Sequence, residues 1–198
     1  MRKLPSKYEN PIDNYIYILV ENTTEYFHKL NFTPNMLTTI GVSFTGLMLF
    51  SIQNDNYHNA AIYYMISYIF DCYDGYYARK YNMVTKFGDY YDHIHDLTKN
   101  ILLFYVLYKK DPKKTIKYIP IFILLSVFSL VHLKYQEDYY NRHDESKTLN
   151  FDYLLGIKKV SKNVAKRRLK YTRYFGCGTF YMAITMMILS YSNHSQKK

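Results

Sequence analysis

The chain has 198 residues, two cysteines and a formal net charge of +10 at pH 7. This length fits a single domain, and two cysteines are too few for a disulfide-stapled secreted scaffold. With 48% hydrophobic and 21% charged residues, the composition also excludes a disordered chain. The basic residues form no recognised nucleic-acid-binding motif, so no nucleic acid partner is expected.

An amphipathic helix is predicted close to the N-terminus. The apolar residues that recur there at three- to four-residue spacing are Ile12, Tyr15, Ile16, Leu19, Tyr26, Phe27 and Leu30. This spacing places them on one helical face. Because the first long apolar segment follows directly, the pattern favours a helix that lies in the membrane interface. An ordinary helix that faces a protein core fits the same periodicity.

Five membrane-spanning segments are predicted. Three uncharged runs, each near the lower limit of about 17–25 residues that cross a bilayer, are Met36–Ile52, Tyr118–Leu133 and Tyr174–Tyr191. Two half-apolar segments, Ala60–Phe70 and Ile101–Tyr108, become long enough when they are extended through neighbouring aspartates. The mean hydropathy of −0.30 hides this segregation of apolar residues into blocks. A sixth span is not evident, because Leu149–Ile157 is too short and too polar.

The sequence therefore predicts an all-α, polytopic membrane helical bundle. Residues 1–34 form an N-terminal arm with the interfacial helix, and residues 35–198 form the membrane-embedded domain. Basic residues are frequent in the arm, in the connection between the second and third spans, and in Lys134–Arg173. With five crossings, these three basic regions all lie on the same side of the membrane, which the positive-inside rule assigns to the cytoplasm. The loop Lys109–Lys117, with five lysines, lies on the other side against this pattern.

Four aspartates lie around the connection between the second and third spans. Asp71 and Asp74 are three residues apart. Asp92 and Asp96 are four residues apart, so each pair shares a helical face. In neighbouring helices joined by a short turn, the four carboxylates converge and repel one another, and hard divalent cations such as Mg²⁺ would neutralise them. The arrangement predicts a two-metal site of the kind that clamps a phosphoryl group, against the alternative of a solvated acidic face.

Small and basic residues beside the aspartates suit a phosphate-bearing substrate. Gly75 follows Asp71 by one turn and lets a ligand approach the backbone closely. Ala78 and Gly88 are small where two helices and a ligand would crowd one another. Arg79 can pair bidentately with a phosphate group.

Together these residues form the pattern D-x2-D-G-x2-A-R-x8-G-x3-D-x3-D, with all eight fixed positions occupied. The pattern resembles the signature of the CDP-alcohol phosphotransferases, which are integral membrane enzymes of phospholipid synthesis. Thr33-Pro34-Asn35, Leu37-Thr38 and Gly41 also resemble the start of that family's first membrane helix. The resemblance covers roughly residues 10–135, and it implies six membrane helices, one more than the sequence shows.

The resemblance implies a CDP-linked lipid or CDP-alcohol donor, bound at the cytoplasmic face. The hydroxyl of an acceptor alcohol would attack the β-phosphorus and expel CMP. Two Mg²⁺ or Mn²⁺ ions are implied, and their ligands would be Asp71, Asp74, Asp92 and Asp96. Asp96 would also act as the general base. The residues implied to bind the donor are Asp71, Gly75, Ala78, Arg79 and Gly88. The lipid bilayer and a second copy of the chain in a homodimer are the further partners that the analogy suggests.

The acceptor is less clearly specified. The basic stretch 158–173 suits a phosphorylated polar acceptor, and the candidate residues are Lys158, Lys159, Lys166 and Arg167. Anionic lipid headgroups explain the same charges. Asp92-His93 resembles instead the Asp-His pair of choline and ethanolamine phosphotransferases, which use diacylglycerol.

Three other classes fit parts of the sequence. A membrane polyprenyl transferase also uses aspartates, Mg²⁺ and a diphosphate, but it carries two separated aspartate motifs, and no second cluster follows Asp96. A catalytically inactive membrane scaffold would share the fold, although all eight motif positions are intact. A soluble basic helical protein would be extracted without detergent.

Overall fold

The computed structural model describes residues 1–140 and 155–192. Every regular element in these two ranges is helical, which confirms the all-α prediction there. The α-helices are α1 (Pro11–Lys29), α2 (Pro34–Gln53), α3 (Tyr57–Lys80), α4 (Lys86–Lys110), α5 (Pro112–Tyr140), α6 (Lys162–Thr172) and α7 (Cys177–Ser190). A 3₁₀ turn, Arg173–Phe175, leads into α7. Most of the segment Leu149–Ile157 lies outside the described residues.

Short polar residues fix where the first four helices begin. The side chains of Asn10, Thr33, Asn56 and Thr85 each accept a hydrogen bond from a backbone N–H in the first turn of α1, α2, α3 and α4. The three connections between these helices each contain one residue at positive φ, and these are Asn31, Asp55 and Asn82. Asn and Asp tolerate this left-handed conformation, so the chain reverses within a few residues.

Helix α3 lies at the centre of the bundle, packed most extensively against α2 and also against α1 and α7. Its fully buried side chains include Tyr64, Tyr68 and Tyr77. The ring of Tyr68 stacks on that of Tyr181 in α7, with 3.8 Å between the ring centroids. The C-terminal half of α3 begins directly after Tyr68 and carries Asp71 and Asp74.

Two helices, α2 and α5, are both long enough and apolar enough to cross a membrane. Helices α3 and α4 have 24 and 25 residues and extend about 36 Å, but they are more polar. The predicted run Tyr174–Tyr191 differs from the structure, because Gly176 is extended and the α-helix begins only at Cys177. The 14 residues of α7 extend about 21 Å, less than a hydrocarbon core of about 30 Å. The count of five spans stays a prediction.

Helix α1 forms at the predicted position, but its apolar residues divide between two sides. Ile16 is buried against the bundle, whereas Tyr15 and Tyr26 are exposed. Glycine at position 178 lets the start of α1 approach α7 closely, since a Cβ there would lie 2.7 Å from Asn10 Oδ1. The exposed apolar side is available for the membrane interface, and that location of α1 stays a prediction.

Only Asp111 separates α4 from α5, so the predicted loop Lys109–Lys117 is mostly helical, and two of its lysines contact the ends of other helices. Lys110 Nζ donates to the carbonyl oxygen of Gln53 at 2.6 Å and to Asp55 at 2.8 Å. Lys114 Nζ donates to the carbonyl oxygen of Ser190 at 2.7 Å. Both ammonium groups thus satisfy carbonyls at the C-terminal ends of α2 and α7, where the helix dipole favours cations. This gives part of the loop Lys109–Lys117 a structural role that the charge pattern alone does not supply.

Two carboxyl groups are buried where the N-terminal arm meets α1. Glu9 is 2% exposed and Asp13 is 6% exposed. Burial, together with the nearby Asp13, raises the pKa of Glu9 to about 7. Burial raises the pKa of Asp13 to about 6, although its carboxylate accepts a 2.6 Å hydrogen bond from the Tyr68 hydroxyl. Both carboxyl groups are therefore easier to protonate in the folded protein than in the unfolded chain.

The fold is therefore expected to lose stability as the pH rises through about 7. Because the pKa of Glu9 is higher in the folded state than the ordinary value of 4.5, binding of its proton stabilises the folded state. This stabilisation is complete below pH 4.5 and is lost as the pH rises through the folded-state pKa of about 7. Glu9→Gln removes the cost of burying an ionised carboxylate. At pH 8 the variant should therefore be more stable than the wild type by on the order of 2 kcal/mol. Thermal unfolding in detergent at pH 5 and pH 8 measures the difference.

Glu25→Gln is the matched control, because the side chain of Glu25 is largely exposed. It should follow the wild type at both pH values. A Glu9→Gln variant that shows the same loss of stability between pH 5 and pH 8 as the wild type would contradict this origin of the pH dependence.

Candidate functional site

The aspartates of α3 and α4 meet at one end of the bundle. Residues 81–85 join the C-terminal half of α3 to the N-terminal half of α4. Three carboxylate oxygens lie within 4.8 Å of one another, one each from Asp71, Asp74 and Asp92. Three carboxylates at this separation can share a divalent cation. The structure thus brings three of the four predicted ligands into one group.

The N-terminal part of α2 holds Asp74 in place. Thr38 Oγ1 donates to Asp74 Oδ2 at 2.5 Å, and Asp74 is 5% exposed. Thr33 caps α2 and Pro34 occupies its first turn, so Thr38 lies one turn into the helix. Thr38 belongs to the segment that resembles the start of the family's first membrane helix, and the structure shows its contact with the site.

Asp92 has a buried oxygen that needs a partner. Its Oδ1 is inaccessible to solvent and accepts no hydrogen bond from any residue in the described ranges. A buried carboxylate oxygen without a partner is costly, and more so beside other carboxylates. Carboxylate oxygens are the ligands that Mg²⁺ and Mn²⁺ prefer. The residues present therefore fit a divalent metal ion.

Asp96 differs from the other three aspartates because two side chains already bind it. Its Oδ1 accepts a hydrogen bond from Lys99 Nζ at 2.8 Å and from the Tyr181 hydroxyl at 3.0 Å. Asp96 is not one of the three residues whose oxygens converge within 4.8 Å. Its side chain remains 32% exposed, whereas that of Lys99 is fully buried.

The small and basic motif residues line the face of α3 that carries Asp71. Gly75, Ala78 and Arg79 follow Asp71 by four, seven and eight residues and are half-buried. The guanidinium of Arg79 folds back over Gly75, where a Cβ would lie 3.0 Å from Arg79 Nη1. Glycine at position 75 thus leaves the space that this guanidinium occupies.

Glycine at position 88 serves the approach of two helices. A Cβ there would lie 3.1 Å from Asn35 Oδ1 in α2 and 3.1 Å from Thr85 Oγ1. The first turn of α4 can therefore lie close to the first turn of α2, beside the aspartates. This matches the sequence-based expectation that a small residue is needed where helices crowd.

The candidate acceptor residues lie on α6 and directly before it. Lys158 and Lys159 precede α6, Lys166 and Arg167 lie on it, and all four are exposed. Helix α6 packs against α5 through Ala165 and Leu169. Their part in acceptor binding stays a prediction.

Sequence reasoning missed two residues that contact the fourth aspartate. Lys99 carried a signal, because it is a single charge three residues after Asp96, just before the apolar segment Ile101–Tyr108. No local sequence signal pointed to Tyr181, because its contact with Asp96 joins residues that are 85 positions apart. Such a contact depends on how α7 packs and not on local spacing.

Comparison with known proteins supports the family resemblance that the motif indicates. A family model described as CDP-alcohol phosphatidyltransferase matches residues 31–191, which is most of the chain and includes α6 and α7. An uncharacterized protein of Aquifex aeolicus (strain VF5) is 32% identical over 89 residues, or 45% of each chain. The chain thus spans less than half the length of this relative in the match. No solved structure matches the chain.

The Thr38–Asp74 contact yields a prediction about stability. Thr38→Val removes the hydroxyl donor and leaves a buried carboxylate without it, so unfolding should become easier by about 1–3 kcal/mol. Because Asp74 belongs to the converging group, saturating Mn²⁺ should restore part of this loss. Thermal unfolding in detergent, with and without Mn²⁺, measures both effects.

Thr39→Val is the matched control, since Thr39 is the neighbouring residue and its hydroxyl is exposed. Its cost should be small and independent of Mn²⁺. Equal stability of the two variants would contradict a structural role for the Thr38 hydroxyl at the site.

Proposed function

The chain belongs to the CDP-alcohol phosphatidyltransferase family, and on that premise we propose that it transfers a substituted phosphate group from a CDP-linked donor to an alcohol hydroxyl, releasing CMP. Such a reaction builds phospholipids. The observation that carries the proposal is the convergence of oxygens from Asp71, Asp74 and Asp92 within 4.8 Å, inside the complete signature motif. The family is membrane-embedded, and the apolar, mostly exposed surface of α5 suits that environment.

The proposed cofactor is a pair of Mg²⁺ or Mn²⁺ ions. Asp71, Asp74 and Asp92 would hold them, with Asp96 as the fourth ligand. When bound, the ions neutralise the donor diphosphate and stabilise the CMP leaving group. The buried, unpartnered Oδ1 of Asp92 supports this assignment within the part of the chain that the structure describes.

The donor would lie along the motif face of α3, against Asp71, Gly75 and Ala78. Arg79 donates through Nε to the carbonyl oxygen of Met1 at 2.8 Å, and its planar guanidinium suits the donor diphosphate. Gly88 would keep the first turn of α4 close enough to complete the pocket.

Asp96 is proposed as the general base that removes the proton from the acceptor hydroxyl. A base must lie within hydrogen-bond reach of the proton it takes. Asp96 lies outside the group of three converging carboxylates, and the partial exposure of its side chain leaves room for an acceptor hydroxyl to reach it, which supports this role.

CMP release by the detergent-solubilised protein tests the proposal. The donors and acceptors are CDP-diacylglycerol with inositol, serine, glycerol 3-phosphate or an inositol phosphate, and CDP-choline or CDP-ethanolamine with diacylglycerol. We expect Mg²⁺- or Mn²⁺-dependent release with one pair. Asp96→Asn should abolish turnover while metal-dependent donor binding remains, because the lost carboxylate acts on the acceptor.

Equal loss of donor binding and turnover in Asp96→Asn would refute this division of roles. If folded wild-type protein releases no CMP with any donor–acceptor pair, the result would favour the catalytically inactive scaffold. Release of inorganic diphosphate from a prenyl diphosphate would favour the polyprenyl transferase.

The acceptor is proposed to be a phosphorylated polar alcohol attracted by Lys158, Lys159, Lys166 and Arg167. The exposed, basic surface of α6 supports an anionic partner. Anionic lipid headgroups satisfy the same chemistry, and the two can be separated by varying the lipid.

The double variant Lys166→Gln with Arg167→Gln should raise the KM for a phosphorylated acceptor about tenfold, because two attractive charges are lost. Its kcat should change little. The control is the double variant Lys113→Gln with Lys117→Gln, which removes two exposed lysines of α5 that lie outside this basic stretch. Activity is measured in nanodiscs with and without anionic lipid. An effect that appears only with anionic lipid would assign the surface to headgroups and refute acceptor binding.

The site is proposed to face the cytoplasm. The basic N-terminal arm and the α3–α4 connection lie at the same end of the bundle as the aspartates, as the positive-inside rule expects for a cytoplasmic end. A homodimer remains an expectation from the family analogy.

A further inference from the structure

Lys99 is a fully buried cation beside the site. It follows Asp96 by three residues in α4, and its side chain is 0% exposed. Its Nζ donates to Asp96 Oδ1 at 2.8 Å and lies 4.6 Å from the ring centroid of Tyr181. An ammonium group is retained in such a place only when charges and π-systems compensate its desolvation. The position of Lys99 is therefore tightly defined.

Tyr181 binds the same carboxylate from another helix. Its hydroxyl donates to Asp96 Oδ1 at 3.0 Å, and its ring stacks on that of Tyr68. Donors from α4 and α7 therefore converge on one oxygen and fix the rotation of the carboxylate. Among the described residues, no hydrogen bond involves the other oxygen, Oδ2. Oδ2 is the oxygen left to face a substrate.

The charge of Lys99 also acts beyond Asp96. Its ammonium lies 2.8 Å from Asp96 Oδ1, and Asp96 follows Asp92, one of the three converging carboxylates, by one turn of α4. A fixed positive charge among carboxylates reduces the net negative charge that a divalent cation meets there. Removing that charge should therefore strengthen cation binding, even though it also releases Asp96.

We propose that Lys99 and Tyr181 are positioning residues that orient Asp96, and that Lys99 also lowers the affinity of the site for divalent cations. The orienting role rests on the proposed function, whereas the effect on cation affinity does not. Two opposite changes follow for Lys99→Met: cations bind more tightly, and proton transfer from the acceptor becomes slower. A residue that merely stabilised the fold would weaken both.

The experiment compares Lys99→Met and Tyr181→Phe with the wild type. Mn²⁺ affinity is titrated by electron paramagnetic resonance, and kcat and donor KM are obtained from CMP release. Lys99→Met should bind Mn²⁺ about tenfold more tightly, because one repelling charge is gone. Its kcat should fall about thirtyfold with donor KM nearly unchanged, because only the base is misplaced.

Tyr181→Phe keeps the ring and the charge balance and loses one donor to Asp96. Its Mn²⁺ affinity should equal that of the wild type, and its kcat should fall about tenfold. Lys109→Met and Tyr105→Phe, exposed residues of α4, are the controls and should change neither quantity.

Parallel losses of Mn²⁺ affinity and kcat in Lys99→Met would overturn the proposal, and so would an unchanged kcat in both variants. If Lys99→Met does not fold, an unchanged kcat in Tyr181→Phe overturns the orienting role. If the wild type releases no CMP with any pair, the proposed function fails, and the Mn²⁺ titration alone decides the effect of Lys99 on cation affinity.

Discussion

Like charges repel, and four carboxylates at one end of a largely apolar bundle are the constraint to which the surrounding helices respond. Each helix near the site supplies a different compensation. Helix α2 donates a hydroxyl to Asp74, and α4 and α7 together donate an ammonium and a phenol to Asp96. The buried oxygen of Asp92 has no such donor among the described residues. The repulsion left within the bundle is the part that divalent cations would remove.

The same packing that builds the core also builds the site. Tyr68 in α3 stacks on Tyr181 in α7 and donates to Asp13 in α1, so one buried tyrosine joins three helices. Tyr181 in turn reaches Asp96. A change at the interface between α1 and α7 is thus transmitted to the fourth aspartate through stacked rings and hydrogen bonds.

Local spacing made much of the site predictable from the sequence. Intervals of three and four residues put Asp71 with Asp74, and Asp92 with Asp96, on helical faces that one short turn brings together. The contact of Tyr181 was not predictable, because it depends on the packing of α7. The start of α7 was also missed: hydropathy did not reveal that Gly176 is extended and interrupts an otherwise apolar run.

The lysines between α4 and α5 bear on how membrane topology is read from charge. Topology rules treat each basic residue as a free charge that resists translocation across the membrane. Lys110 and Lys114 instead close the carbonyl ends of α2 and α7, and Lys110 also faces Asp55. Their charges are offset once the helices have packed, while during insertion they are still unpaired. A count of basic residues therefore overstates the uncompensated charge at this end of the bundle, because two of the five lysines in residues 109–117 are bound to helix ends.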